Sequence, residues 1–493
     1  MLTLLTTISH QQNVKNAIAS VDRLGELVAI VTINSDIQQP TKLVEVKNNI
    51  ITKSLDWHDT EPPYIIPSET YTDENLLAIV FYSLGNYQKA LEYISENSTL
   101  HQNIVIANHI QFEYPISKAQ YHAIELSKHN QCIIHHYGNY VNRLQIDEVE
   151  KKYQEAIEAA ENDELRIFTA KHYTNLLIDT QKFVKAETLI RSLHPTSISE
   201  EAKNALKVQL ATVMMQQLQL PFEKETLATI QNLFQSSIEF YEKNQLKVNA
   251  GLLLIDASEI ANYQQDFAGS NGYINKAIHY FKDEEVPEFY GEANLHKATL
   301  LYLWSKNGQP QYYKPAINAF QDTLKVFKRD THPKKFADIH HKMALIYSEI
   351  PVSPEEKPIW TAFCASSFKE ALAFYTKEDY PYENAMISHN YATALINFPE
   401  AKLHDNFDKA YNLFEAALEV RTANKYPSER VSTIINQLEL FWLMHNNSDK
   451  EEIKRLDEMR NKINEAKALV PDAEMLKKIT FHEVKLESLK AIL

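Results

Sequence analysis

The sequence predicts an all-α fold, a right-handed solenoid of stacked helical hairpins with a short irregular or mixed α/β segment at its N-terminus. Three observations favour this fold. Glycine accounts for only 8 of 493 residues, and long helices do without a residue that costs them about 1 kcal/mol relative to alanine. A helical pattern of apolar residues runs from about Asp73 to the end of the chain. Two landmarks in the C-terminal half recur with one common period.

The first 70 residues differ from the rest of the chain. Residues 27–33 are rich in β-branched side chains, which favour strands. Residues 43–46 and 50–53 flank a Lys-Asn-Asn sequence that predicts a hairpin turn, because asparagine tolerates a positive φ. Three prolines then precede the helical region. We expect either a small mixed cap or an irregular leader over residues 1–70.

The clearest repeat unit spans residues 75–94. Its apolar and small residues follow one another at helical spacings: Ala78, Phe81, Gly85, Tyr87, Ala90 and Ile94. The small side chain of Ala78 lets two helices approach each other. Gly85 stands where the first helix must stop and the chain must reverse. Tyr87 and Ala90 then begin the return helix.

These residues resemble the tetratricopeptide repeat, a helical hairpin. The sequence Leu-Gly-Asn-Tyr-Gln-Lys-Ala-Leu-Glu-Tyr at residues 84–93 is similar to the turn and second helix of that family. Residues 174–190 look like a weaker copy, and residues 137–157 look like a degenerate one. The resemblance covers approximately residues 73–447, and it implies a protein that recognises peptides or protein segments.

The C-terminal half follows a longer period. Four prolines mark it, with separations of 46, 48 and 46 residues: Pro287, Pro333, Pro381 and Pro427. The helices before them share a core motif whose first residues have the same separations: Ala277, Thr323, Ala371 and Ala417. This period exceeds the length of a standard repeat, about 34 residues. It is similar to the variant repeats of long bacterial arrays, with longer helices and connections.

The pattern predicts three parts: an N-terminal segment at 1–70, a repeat array at 71–447 and capping helices at 448–493. Pro471 is suited to open the last helix. That helix carries apolar residues on one face, namely Leu476, Ile479, Leu486 and Leu489. A polar outer face on it would cap the stack.

Composition argues against several classes of protein. The net charge is −15, whereas nucleic-acid binding needs clustered basic residues, so we expect no nucleic-acid partner. The acidic total also serves solubility. Cys132 and Cys364 lack metal-ligand spacing and predict free thiols in a reducing compartment. No secretory signal and no apolar run of about 20 residues is present. We therefore expect a cytoplasmic protein without a membrane span.

No motif indicates catalysis or a cofactor. The chain contains no GxxxxGK[ST], GxGxxG, HExxH or GxSxG sequence. Its carboxylates fall on helix faces among lysines, as on a solvated surface. Cys132 and His136 share one helical face, but a metal would need a further ligand from elsewhere. We expect a protein that is not an enzyme and that holds no cofactor or metal.

Three histidines stand eight or nine residues after successive prolines: His296, His341 and His389. In the family, first helices line a concave groove, so the resemblance implies a row of imidazoles that titrate at roughly pH 6 to 7. Alternatively, these histidines fill contacts between repeats. The next positions hold Lys342, Asn390 and Asn436. Some members bind C-terminal carboxylates through a Lys/Asn/Arg clamp, and this pattern differs from that clamp.

The leading hypothesis is a non-catalytic interaction or scaffold protein, such as an assembly factor, that binds a protein or peptide along its concave face. A regulator that senses a peptide or small ligand is the alternative. Such regulators usually carry an N-terminal helix-turn-helix domain, which residues 1–70 do not resemble. An enzyme whose active part is the N-terminal segment is a third class. The six residues named above, from His296 to Asn436, are the candidate partner-binding residues.

Overall fold

The computed structural model describes residues 2–33, 43–194, 198–398, 406–444, 448–470 and 472–490. The chain divides into two compact units, Met1–Asp266 (unit 1) and Phe267–Leu493 (unit 2). Both are built mainly of consecutive helices that pack as neighbours, which confirms the predicted class of stacked helical hairpins. No helix among the described residues is long and apolar enough to cross a membrane.

Unit 1 combines seven β-strands, in two separate sheets, with twelve helices of the described chain. The strands are β1 (Leu2–Thr6), β2 (Val28–Thr32), β3 (Leu43–Lys47), β4 (Ile50–Lys53), β5 (Glu69–Thr70), β6 (Pro115–Ile116) and β7 (Asn139–Tyr140). The helices are α1 (Gln11–Ala19), α2 (Asp73–Ser83), α3 (Tyr87–Glu92), α4 (Thr99–Gln111), α5 (Lys118–His122), α6 (Lys128–His136), α7 (Ile146–Glu158), α8 (Asp163–Asp179), α9 (Phe183–Ser192), α10 (Glu200–Gln216), α11 (Lys224–Lys243) and α12 (Lys247–Tyr263).

Unit 2 is helical throughout its described residues. Its helices are α13 (Phe267–Asp283), α14 (Pro287–Lys306), α15 (Tyr313–Val326), α16 (Pro333–Glu349), α17 (Lys357–Phe374), α18 (Pro381–Ile396), α19 (Asn406–Val420), α20 (Pro427–Leu443), α21 (Asp449–Leu469) and α22 (Ala473–Lys490). Short 3₁₀ turns occur at Leu24–Glu26 in unit 1 and at Pro310–Tyr312 in unit 2.

The N-terminal residues form a small mixed sheet, as one of the two expectations held. Its strand order is β2-β1-β3-β4-β5, with β1 parallel to β2 and β3, and β4 antiparallel to β3 and β5. The predicted hairpin joins β3 to β4, and Asn48 and Asn49 at its turn have φ values of 53° and 62°. Leu4, Val44 and Ile51 of the sheet are fully buried in a core that also includes residues of α1 and α2.

The predicted repeat unit at residues 75–94 forms the hairpin of α2 and α3. Gly85 lies between them with φ +78°, a conformation that favours glycine. The N–H of Asn86 donates to the Phe81 carbonyl at 2.9 Å, which completes the hydrogen bonding of the helix end. The Asn86 side chain accepts from the Lys89 N–H and so caps α3.

Five later turns have the same left-handed conformation without glycine. The residues concerned have φ between 55° and 63°: Glu113, Gln181, Gln245, Gln265 and Glu285. In each, the N–H of the following residue bonds to the carbonyl five residues before it, at 2.7 to 3.1 Å. The chain therefore keeps the repeat's turn geometry while placing glutamine or glutamate where glycine is usual, which contributes to its low glycine content.

The degenerate copy expected at residues 137–157 is wrong in its first part. Asn139 and Tyr140 form β7, which pairs in parallel with β6. Helix α4 ends in a left-handed turn at Glu113, whose φ is 56°. The chain then forms the short strand β6 from Pro115, and the Ile116 carbonyl accepts from the Val141 N–H at 3.1 Å. The helical pattern from Asp73 onward is thus interrupted by two short strands.

The long repeats of unit 2 have one geometry at each proline. Pro287, Pro333, Pro381 and Pro427 are the first residues of α14, α16, α18 and α20. The residues before the last three prolines have φ between −135° and −139° and ψ between 59° and 61°. The first residue of the core motif is fully buried each time, at Ala277, Thr323, Ala371 and Ala417. These features confirm the predicted long-period repetition.

The last helix departs from expectation on its outer face. Its buried face runs through Ile479, His482 and Leu486, and His482 accepts from the Trp442 indole at 2.9 Å. Leu476, one turn before Ile479, is 40% exposed, and Phe481 and Val484 are each 60% exposed. The outer face therefore carries apolar side chains, and the expectation of a polar outer face is wrong. Pro471, expected to open this helix, lies outside the described residues.

Candidate partner-binding face

The first helices of the long repeats are α14, α16, α18 and α20, and positions on them can be counted from their initial prolines. A packing residue stands eleven positions after each proline. Ala298, Ala344 and Ala392 occupy that place in α14, α16 and α18, and all three are fully buried. Their shared burial sets the register in which the candidate residues are compared.

In that register the three histidines do not form one row. His341 and His389 stand eight positions after their prolines, whereas His296 stands nine positions after Pro287. Nine positions is also the place of the other candidates. We call these residues the polar row, and it consists of His296, Lys342, Asn390 and Asn436. All four side chains are half-buried, with part of their surface open to solvent.

Each later member of the polar row reaches back to the preceding repeat. Asn390 Nδ2 donates to His341 Nε2 at 3.0 Å. Asn436 Nδ2 donates to Thr393 Oγ1 at 3.0 Å and lies 3.3 Å from His389 Nε2. The Lys342 ammonium lies 3.5 Å from Thr299 Oγ1. The structure therefore brings the candidates together as a chain of contacts between successive first helices.

His341 and His389 pack inside the repeats. Their rings lie 6.2 Å from Phe368 and 5.8 Å from Phe414, measured between ring centroids. Burial lowers the pKa of both histidines to about 4. Both are neutral at physiological pH, and their Nε2 atoms accept hydrogen bonds. The expected titration at pH 6 to 7 is therefore wrong for these two residues.

The face around the polar row is mainly polar and partly open to solvent. All four residues five positions after the prolines are half-buried, and all but Met386 are polar: Glu292, Asp338, Met386 and Ser432. Lys335 forms an ion pair with Glu292 across two repeats, and Lys306 pairs with Glu349 at 3.0 Å. Burial lowers the pKa of the Lys342 ammonium. This face can donate and accept hydrogen bonds along a line of four helices.

The cysteines offer no reactive group. Cys132 and Cys364 are free and buried, and burial raises the pKa of both thiols to about 12. A thiol of that pKa remains protonated at neutral pH and is a poor nucleophile and ligand. Within the ranges that the structure describes, no three His, Cys, Asp or Glu side chains are grouped to hold a metal ion.

Sequence reasoning missed a second set of polar residues, in unit 1. Asn103 of α4, Asn130 of α6 and Lys171 of α8 are buried and contact residues 57–66 of the connection from β4 to β5. The only signal was the cluster of prolines at 62, 63 and 67, which indicates an extended segment. Nothing in the sequence links that segment to the three helices.

The described residues define a protein built of consecutive helical hairpins, the fold class that the sequence predicted. No family model and no curated protein matches the chain. It is similar to the solved structure of yeast Tom70, at 14% identity over 85% of this chain and 96% of that one, with a TM-score of 0.22. The human IFIT1 dimer with m7Gppp-AAAA is 13% identical over 86% of this chain and 88% of that one, with a TM-score of 0.32. The P58(IPK) TPR domain is 13% identical over 85% and 98%, with a TM-score of 0.22.

Proposed function

We propose that this chain is a non-catalytic, cytoplasmic interaction or scaffold protein that binds a protein partner along the first-helix face of unit 2. The observation that supports the proposal is the polar row, which places one half-buried polar side chain at the same position in four successive repeats. Proteins built from helical repeats use such extended surfaces to recognise polypeptide segments.

The row has unused capacity for a partner. Asn390 and Asn436 donate from their Nδ2 groups to the preceding repeat. These bonds leave their Oδ1 atoms as acceptors for a partner. A partner's backbone N–H groups are suitable donors to them. The partly desolvated Lys342 ammonium is suited to a carboxylate, because a charge-assisted hydrogen bond is stronger where water is partly excluded.

Affinity capture from the native cell tests the proposal with paired variants. The row variant combines Lys342→Ala, Asn390→Ala and Asn436→Ala. The matched control replaces exposed residues of the same types on second helices, namely Asn318→Ala, Lys369→Ala and Asn412→Ala. We expect wild type and control to capture the same partner and the row variant to retain less than about a tenth of it, a loss of about 1.4 kcal/mol or more.

Thermal melting of all three proteins accompanies the capture, because the row also joins repeats. A row variant that melts with wild type yet loses the partner supports the proposal. Capture by the row variant at the wild-type level would contradict it. Substitution of His341 and His389, which are packed inside, should instead lower the melting temperature.

A further inference from the structure

Residues 57–66 of unit 1, which we call the strap, lie in a long excursion from the sheet. The chain leaves β4, runs through residues 54–68 and returns as β5, the antiparallel neighbour of β4. A connection of this length without helix or strand is uncommon in a compact domain, and such connections usually have a function. Most strap residues are buried or half-buried; Asp59 and Thr60 are exposed.

Side chains of the helices bind the backbone of the strap. Asn130 of α6 accepts from the Ile65 N–H at 2.9 Å and donates to the Ile65 carbonyl at 2.8 Å. The adjacent His129 donates from Nε2 to the Pro63 carbonyl at 2.9 Å. Asn249 of α12 donates to the His58 carbonyl at 3.3 Å. Hydrogen bonds to main-chain groups hold an extended peptide regardless of its side chains.

Two strap side chains, Trp57 and Tyr64, pack against or bond to side chains of the helices. Trp57 lies edge-on to Phe168 at 5.1 Å, in a small apolar cluster with residues of α8 and α10. The Tyr64 hydroxyl donates to Asn103 Oδ1 of α4 at 2.7 Å. The strap thus contacts five helices of unit 1, namely α4, α6, α8, α10 and α12.

An ion pair with a buried lysine also supports the interpretation of the strap as a ligand. Lys171 of α8 is buried, and its ammonium pairs with the carboxylate of Asp59 at 2.6 Å. A buried ammonium is stable only when an anion accompanies it. Here the anion is Asp59 of the strap. Asp56, the residue just before the strap, organises a turn by accepting from the N–H groups of His58 and Glu61 at 3.1 and 2.9 Å.

We infer that this face of unit 1 is a peptide-binding groove that the strap occupies as an internal ligand. The external ligand is a segment of another protein with the same chemistry: an acidic turn, then a proline-containing extended stretch with an aromatic residue. Because the strap is tethered at both ends, its effective concentration is high. An external segment therefore binds when the strap is weakened or released. This inference does not depend on the function proposed for unit 2.

Hydrogen exchange in the intact protein tests whether the strap opens independently. The Ile65 amide, bonded to Asn130, is the reporter. We expect it to exchange through a local opening, at least about tenfold faster than the core amides of α6 and α8. If the Ile65 amide and those helix amides exchange at the same rate, the strap leaves only on unfolding of unit 1, and the inference is wrong.

Peptide binding tests the groove itself. The probe is a fluorescein-labelled peptide with the sequence of residues 55–68, and a scrambled version is its control. The full chain is compared with a strap variant, Trp57→Ala with Asp59→Ala, and with the same variant carrying Asn130→Ala. We expect the strap variant to bind the peptide at least about tenfold more tightly than wild type, and Asn130→Ala to remove that gain.

Three outcomes of the peptide experiment overturn the inference. In the first, the strap variant keeps the circular dichroism of wild type and binds the peptide no more tightly than the scrambled control. In the second, the strap variant loses the helical signal of unit 1, which makes the strap part of the core rather than a ligand. Tight binding that persists after Asn130→Ala would also contradict it, because the peptide would then bind elsewhere.

Discussion

Asn130 hydrogen-bonds both main-chain groups of Ile65, accepting from its N–H at 2.9 Å and donating to its carbonyl at 2.8 Å. The two residues are 65 positions apart in the chain. Replacing Asn130, which is buried, with alanine removes the partner of both Ile65 groups at a partly buried site. Each such group costs about 1 to 3 kcal/mol. We expect Asn130→Ala to lower the free energy of unfolding of unit 1 by about 2 to 4 kcal/mol.

Urea denaturation measures this change in the free energy of unfolding, with hydrogen exchange of unit 1 peptides as the readout. Asn16→Ala is the control, because Asn16 is exposed on α1 and bonds only to the exposed Gln12 among the contacts described. Its effect should stay within about 0.5 kcal/mol. An equally small effect for Asn130→Ala would show that Ile65 finds other partners.

The left-handed turn residues predict stabilising substitutions. Gln181, Gln245 and Gln265 have φ near 60°, where a side chain is strained by about 1 kcal/mol relative to glycine. We expect each change to glycine to raise the free energy of unfolding by about 0.5 to 1 kcal/mol. Gln154→Gly, at an exposed position inside α7, should instead cost about 1 kcal/mol. Destabilisation by the turn variants, measured by chemical denaturation, would refute this reading.

Local signals carried most of the fold prediction. The prolines of the long repeats act within one or two residues of themselves, since each sets φ at the start of a helix. Gly85 and the paired asparagines of the β3–β4 turn act over the same short range. For that reason the sequence alone predicted the hairpins and the repeat period, and it gave a small mixed N-terminal cap as one of two alternatives.

The candidate binding faces depend on longer-range relationships. A difference of one residue separates His296 from the register of His341, and the burial of the packing alanines fixes that register. The contact between Asn130 and Ile65 joins a helix to a segment in another part of the chain, and no periodicity records it. Gln181 at positive φ was also missed, because glutamine carries no turn signal.

Buried histidines make the stability of unit 1 depend on acid. Burial lowers the pKa of His129 to about 4, whereas an unfolded histidine titrates near 6.5. Between these values the unfolded chain binds a proton that the folded chain does not. Stability is therefore full above about pH 6.5 and falls as the pH drops towards 4, by about 3 kcal/mol in total for this residue.

Denaturation at a series of pH values from 7.5 to about 4.5 measures this slope. His129→Gln keeps a donor for the Pro63 carbonyl and removes one titrating group, so it should reduce the slope of the unit 1 profile by up to one proton. Burial also lowers the pKa of His135, His136 and His172, and these histidines keep the rest of the slope. His122→Gln, at an exposed histidine of α5, is the control and should follow wild type. A wild-type slope in His129→Gln would assign the acid sensitivity to other groups.

We expect the same substitution to change the free energy of unfolding in opposite directions at two glycines of unit 2. A methyl group added at Gly291 of α14 would meet the ring of Phe327 at 2.8 Å and Val326 at 3.1 Å. Phe327 is fully buried and has no room to move aside. Gly291→Ala should therefore lower the free energy of unfolding by about 1 to 3 kcal/mol, reduced somewhat by the better helix propensity of alanine.

Gly272 of α13 is the matched comparison, because an added methyl group would meet no atom within 4 Å. Only helix propensity acts there, so Gly272→Ala should raise the free energy of unfolding by up to about 1 kcal/mol. Urea midpoints of the two variants measure the difference. Because α14 lies close to α15 at Gly291, we expect the two midpoints to move in opposite directions from wild type. A shift of both midpoints towards higher urea would place α15 farther from Gly291.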